Sequence, residues 1–139
     1  MKARTGYSIG DVAQRLSTSA DTLRYYERIG LLPRVARTRS GRRAFDDGDL
    51  ARLRFIRRAQ VMNFTLAEIA ALLELRDRRG RSKAAVRAMA RIKLREIDDR
   101  VAALVALRDE LKTLVEACPG PDSDCPILRG IEERASATD

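Results

Sequence analysis

Residues 8–30 read SIGDVAQRLSTSADTLRYYERIG, and this stretch decides the fold of the first third of the chain. Ser8 stands where a helix N-cap belongs, with Asp11 three residues on as its reciprocal acidic partner. Ile9, Val12, Ala13 and Leu16 repeat at helical spacing until Ser17-Thr18-Ser19 interrupts them. A second helix is predicted from about Ser19 to Arg28, with Leu23 and Tyr26 turned inward and Gly30 ending it. Two short helices joined by a short polar turn make a helix-turn-helix, a frequent DNA-binding unit.

Outward from this pair, Leu31-Leu32-Pro33 leaves in extended form, because proline disfavours helix at the residue before it. Ser40-Gly41 then marks a turn between two short arms. The result is a small hairpin, a wing, with Arg34, Arg37, Arg39, Arg42 and Arg43 and no acidic residue. Guanidinium groups match phosphate geometry and supply the sequence-independent part of DNA affinity. Asp46 or Asp47 caps a third helix carrying Leu50, Leu53 and Ile56 and ending near Met62-Asn63. Thr65 and Glu68 form a further capping box for a helix through about Leu75, and a charged hinge at 76–81 contains Gly80.

From Ser82 to about Ala117 neither Gly nor Pro occurs, which predicts a helix of about 54 Å at 1.5 Å per residue. Its apolar positions from Ile97 onward, Val101, Leu104, Leu107, Leu111 and Leu114, are spaced like a heptad seam. So long a stripe cannot be buried against so small a domain, and a coiled coil with a second copy is the expected solution.

The whole chain has 139 residues, 28 Lys+Arg against 20 Asp+Glu, a net charge of +8 and no histidine. Residues 1–45 hold 10 basic and 3 acidic side chains, so nearly the whole excess lies in the winged segment. All six aromatic residues precede residue 65. Absent histidine removes the commonest general base and the commonest metal ligand. The carboxylate clusters, Asp46-Asp47-Asp49 and Asp98-Asp99, read as a helix cap and a solvated helix face, so no catalysis is expected. No apolar run is long enough for a membrane helix, and the N-terminus lacks a signal-peptide core, which predicts a cytoplasmic protein without membrane association.

Three strings, YSIGDVA at 7–13, TLRYYERIGLL at 22–32 and GRRAF at 41–45, resemble the MerR family of bacterial transcription regulators. The resemblance runs over nearly the whole chain. It implies a mainly α protein: an N-terminal winged helix-turn-helix domain (1–80), a dimerisation helix (81–117) that forms an antiparallel coiled coil in a homodimer, and a cysteine-containing effector loop with a terminal segment (118–139). It also implies that each head binds half of a palindromic operator in double-stranded promoter DNA. Arg24 and Tyr26 would face DNA, together with Arg37 and Arg43 of the wing; Thr22, Tyr25 and Arg42 complete the candidate set. In the family, the effector-bound dimer distorts an over-long promoter spacer so that bacterial RNA polymerase can engage both promoter elements. The chain departs from the family pattern at Arg42, where relatives often carry Tyr, and at Asp21, where a basic side chain is frequent.

The two cysteines, Cys118 and Cys125, flank PGPDSD. Soft sulfur selects Cu(I), Ag(I), Au(I) or Hg(II), and with no histidine a two-sulfur linear site is the natural chemistry. The segment resembles the metal loop of the copper-sensing, CueR-like branch of the family, with six intervening residues where that branch typically has seven. Divalent-metal sensors place a third Cys at the start of the long helix and monovalent sensors a Ser; here the position is Lys83, with Ser82 beside it. Two thiolates with a monovalent ion total −1, a charge that a Lys83 ammonium would balance, which favours a monovalent metal. A nearby ammonium also lowers a thiol pKa, so a reversible Cys118–Cys125 disulfide or an electrophile response is the rival reading. A ligand-independent architectural DNA-binding protein is the alternative of another class.

Overall fold

A computed structural model describes residues 6–78, 83–117 and 125–137. Among the described residues six helices follow in order: α1 (Ile9–Arg15), α2 (Ala20–Arg28), α3 (Asp47–Val61), α4 (Leu66–Asp77), α5 (Lys83–Glu116) and α6 (Pro126–Ala137). The chain separates into two compact units, Met1–Arg87 and Ala88–Asp139, with the division inside α5.

The starts of α1 to α4 are each built by the side chain that marks them in the sequence. Ser8 and Asp11 close a capping box on α1, Asp46 and Asp49 on α3, and Thr65 and Glu68 on α4. The Ser19 hydroxyl accepts from the Thr22 N–H at 3.1 Å and so caps α2. Each of these bonds satisfies a backbone donor that the first turn of a helix leaves without a partner.

The ends of α1, α2 and α3 share one device. After α2, Gly30 sits at φ +80°, its N–H donates to Glu27 O at 3.2 Å, and the Leu31 N–H donates to Tyr26 O at 2.9 Å. This is the Schellman pattern, which needs a left-handed residue just past the helix. The same paired bonds close α1 at Ser17 (φ 50°) and α3 at Asn63 (φ 72°), where no glycine is present. Each closure ends its helix and redirects the chain through a left-handed residue.

These turns bring the apolar faces together. Val12, Leu23, Leu32, Phe45, Ile56, Ile69 and Leu73 are fully buried in one core. Two isolated antiparallel bridges, Tyr7↔Phe45 and Arg37↔Arg43, stand in for a sheet among the described residues. Tyr7 and Phe45 exchange both backbone hydrogen bonds, at 2.8 and 2.9 Å, which ties the segment before α1 to the exit of the wing. Arg52 reaches from α3 to Leu31 O at 2.8 Å and to Asp77 at 3.1 Å, joining the end of the helix pair to the end of α4.

In the second unit α5 presents Val101, Leu104, Leu107 and Leu111 as exposed side chains. Helix α6, in the stretch expected from the sequence only as a terminal segment, lies against α5. A Cβ on Gly130 would meet Leu114 Cδ1 at 3.0 Å, and Arg134 pairs with Glu110 at 2.7 Å. Lys93 is almost fully buried and pairs with Glu96 at 2.7 Å. No helix among the described residues is long and apolar enough to cross a membrane.

Ser17 occupies a left-handed position that costs an L-residue about 1–2 kcal/mol, part of which glycine regains despite its larger unfolded-state entropy. Ser17→Gly is therefore expected to raise stability by roughly 0.5–1 kcal/mol in urea unfolding; a variant no more stable than the parent would contradict the assignment.

Candidate nucleic-acid interface

Helix α2 carries its apolar and polar residues on opposite faces. Leu23 and Tyr26, three residues apart, share the buried face, while Asp21, Arg24, Tyr25 and Arg28 are exposed. Tyr26, turned inward as its spacing to Leu23 predicts and implicated in DNA contact by the family resemblance, is 9% exposed, and its hydroxyl donates to Gln60 Oε1 at 3.4 Å. The helical period that turns Leu23 inward carries Tyr26 with it.

The exposed face is ordered by local pairs. Arg24 bonds Asp21 at 2.8 Å, one turn back, and both side chains are solvated. The Arg28 guanidinium lies 5.4 Å from the Tyr25 ring centre, a cation–π contact, and Tyr25 remains exposed. Thr22 is half-buried, and its hydroxyl is engaged with Ser19 Oγ at 2.8 Å.

The wing closes with Gly41 at φ +83°, its N–H donating to Thr38 O at 2.9 Å. A left-handed residue at this point is the usual third member of a three-residue hairpin loop. The Thr38 N–H donates to Arg42 O at 2.7 Å and the Ala44 N–H to Ala36 O at 2.8 Å, which sets Arg37 opposite Arg43. Arg37 also donates to Gly41 O at 3.0 Å, while Arg42 is exposed.

One open concavity is lined by Ser8, Ile9, Arg24, Arg37, Gly41, Arg42 and Arg43. The fold thus assembles four of the seven candidate residues, from α2 and the wing, on one surface. Tyr25 and Thr22 lie on the same helix outside that lining, and Tyr26 lies in the core. Four guanidinium groups on a concave surface form a site for a polyanion. Glu27, which the sequence reading did not single out, stands among them: it accepts from Arg43 Nε at 2.8 Å and lies 3.9 Å from Arg37. Its place in the Arg-Tyr-Tyr-Glu string was visible, but its partners lie 10 and 16 residues away.

Of the thiol site, Cys125 is half-buried and directly precedes Pro126, the first residue of α6, and its carbonyl accepts from the Arg129 N–H at 3.1 Å. Cys118 lies outside the described residues. Lys83 is exposed at the first position of α5. Among the described residues no group of three or more His, Cys, Asp or Glu side chains gathers as a metal site.

Comparison with known proteins agrees with this architecture. The profile described as MerR HTH family regulatory protein matches residues 7–76, and the one described as MerR, DNA binding matches residues 50–114. The HTH-type transcriptional regulator HmrR of Rhizobium leguminosarum bv. viciae is 40% identical over 129 residues, covering 92% of this chain and 99% of HmrR. Heavy metal-dependent transcription regulator 2 of Rhizobium meliloti (strain 1021) is 37% identical over 125 residues, covering 89% of this chain and 85% of the relative. Among solved structures, PbrR691 from Ralstonia metallidurans CH34 in complex with lead(II) superimposes with a TM-score of 0.73 at 34% identity, covering 88% of this chain and 97% of that one. HiNmlR, a MerR family regulator lacking the sensor domain and bound to promoter DNA, gives a TM-score of 0.62 at 25% identity over 80% of this chain and 88% of that one.

Because the Tyr26 ring belongs to the core and only its hydroxyl makes a polar bond, Tyr26→Phe is expected to cost under about 1 kcal/mol in thermal unfolding. Its affinity for duplex DNA should stay within about twofold of the parent, as a core position predicts. A loss of DNA affinity without a loss of stability would return Tyr26 to the exposed face.

Proposed function

The chain belongs to the MerR family of helix-turn-helix regulatory proteins, and from that premise we propose that it is an effector-responsive transcriptional regulator acting on a promoter operator as a homodimer. The observation that carries the reading is the concavity where Arg24 of α2 meets Arg37, Arg42 and Arg43 of the wing. Placed on a duplex, such a surface neutralises phosphates and releases their counterions, while the exposed face of α2 supplies side chains for base edges. HiNmlR, of similar fold, is bound to promoter DNA, which supports the same use of this head. The family consists of regulators rather than enzymes, and Asp46 and Asp49 are engaged in capping α3.

The homodimer reading rests on the uncovered seam of α5. Val101, Leu104, Leu107 and Leu111 are between 43% and 63% exposed in the single chain, an apolar stripe that a second copy would cover. A dimer presents two heads related by a two-fold axis, which suits a palindromic operator. Control would then act through deformation of the promoter spacer, with bacterial RNA polymerase engaging the realigned elements.

For the effector, the donor set is two thiols and no imidazole. Cys118 and Cys125 suit a linear, two-coordinate soft ion, Cu(I), Ag(I) or Au(I), with Lys83 as the charge-balancing modulator. Heavy metal-dependent transcription regulator 2 is named for its metal dependence and PbrR691 is seen with lead(II), so divalent ions are the competitors the test must include. Pro126 presets the backbone just after Cys125 and Arg129 holds its carbonyl, so the thiol starts from a fixed helix end.

Two outcomes follow. Arg42→Ala should weaken binding to all duplexes alike and reduce the slope of log affinity against log salt by about 1 in fluorescence anisotropy; an unchanged slope would remove Arg42 from the phosphate contacts. Cys118→Ser should abolish stoichiometric Ag(I) binding in native mass spectrometry and Ag(I)-stimulated transcription, with DNA affinity kept within about twofold. Stoichiometric lead(II) or zinc(II) with a transcriptional response, and none to Ag(I), would overturn the monovalent assignment. A response to peroxide with loss of two hydrogens would establish a disulfide switch instead, and no response to any of these would leave an architectural DNA-binding protein.

A further inference from the structure

In the wing, Arg37 and Arg43 form a directly opposed pair across the antiparallel bridge. Like charges opposite one another on a two-stranded ribbon repel and destabilise the pairing. A carboxylate from another element resolves the conflict: Glu27 of α2 accepts from Arg43 Nε through Oε2 at 2.8 Å and faces Arg37 through Oε1 at 3.9 Å. The Glu27 and Arg43 side chains are only 16% and 21% exposed, so water screens their bond little and the charge-assisted bond is strong. Arg37 is turned further by its bond to Gly41 O at 3.0 Å.

We propose that Glu27 is a positioning residue for operator discrimination, holding the wing arginines at a fixed offset from the exposed face of α2. The inference rests on the DNA-binding reading above. A guanidinium has five N–H donors, and Arg43 engages Glu27 through Nε, leaving its terminal nitrogens for phosphate. Arg24 lies one turn before Glu27 on the same helix. A rigid link from Glu27 to the wing therefore sets the distance between the side chains that read bases and those that grip the backbone. With the link intact, only a duplex whose phosphates match that offset satisfies both sets at once. Without it the wing keeps its charge and loses its register.

The two roles open to an acid at a basic surface have opposite signs, which makes the proposal testable. As a mere negative charge beside DNA, Glu27 would repel phosphate, and its removal would tighten binding to every duplex. As a positioning residue, its removal weakens the matched duplex and spares the rest. The experiment uses the full chain, a duplex selected by the parent protein from a random pool, and a scrambled duplex of the same length. Glu27→Gln is expected to lower affinity for the selected duplex by about tenfold and to leave the scrambled duplex unchanged or tighter, at equal salt. In an Arg43→Ala background the same substitution should cost less than in the parent, because only the longer contact to Arg37 remains to be lost.

Equal tightening on both duplexes would overturn the proposal in favour of simple repulsion. Equal weakening on both, with a lowered melting temperature, would make Glu27 a stability residue only and overturn it equally. Full, additive losses in the double variant would show that Glu27 does not act through Arg43. If the parent itself selects no duplex, the DNA-binding reading fails, an outcome separate from any of these.

Discussion

A two-stranded hairpin has too little apolar surface to persist alone in water, and the burial of Phe45 keeps this wing in place. Phe45 is wholly buried in the core shared by the first four helices. Its backbone is locked to Tyr7 by a reciprocal pair of hydrogen bonds. The next residue, Asp46, already caps α3. One side chain thus joins the segment before α1, the exit of the wing and the start of α3, and the arginines of the wing inherit a fixed position from it. Replacing that ring by a small side chain would cost a cavity of the kind worth about 3–5 kcal/mol, a large share of a small domain's stability.

On this frame the charges have a division of labour. The first 45 residues carry a net +7, which alone says only that an anion is attractive. Folding sorts the arginines: Arg24 is moderated by Asp21, Arg28 stacks on Tyr25, Arg52 ties α3 to Leu31 and Asp77, and Arg37 and Arg43 share Glu27. Arg42 remains exposed on the same concavity. Partly buried pairs keep their strength in salt better than exposed ones, so the geometry of the wing is less sensitive to ionic strength than its attraction for phosphate.

The second unit is governed by a different constraint. The face of α5 that bears Leu104, Leu107 and Leu111 is uncovered in the single chain, whereas Leu114 is approached closely by α6 at Gly130. A Cβ on Gly130 would sit 3.0 Å from Leu114 Cδ1, so a larger residue there would require the Leu114 side chain to give way by a few tenths of an ångström. Helix α6 opens directly after Cys125, so the packing at Gly130 and the Arg134–Glu110 pair also bear on where that thiol sits.

Five of the six helices among the described residues were legible in the sequence, because their caps and apolar spacing act over three or four residues and need no distant partner. Ser8, Ser19, Asp46 and Thr65 are such signals, and each caps the expected helix. Helix α6 was not, since Pro126 and Gly130 both read locally as breakers; proline is tolerated in a first turn, and glycine is explained only by Leu114. The inward side of Tyr26 follows from its spacing to Leu23, and the packed core holds the ring there, whereas family resemblance pointed the residue at DNA. The pairing of Glu27 with Arg37 and Arg43 was not readable, because a contact across 10 or 16 residues depends on how the Gly30 closure turns the chain back. The sequence by itself determined α1 to α5, the basic wing and the family, which are matters of local spacing and residue type. The tertiary structure alone decided which arginines meet and which acid lies between them, because those distances are set by the shared burial of Phe45, Leu23 and their neighbours.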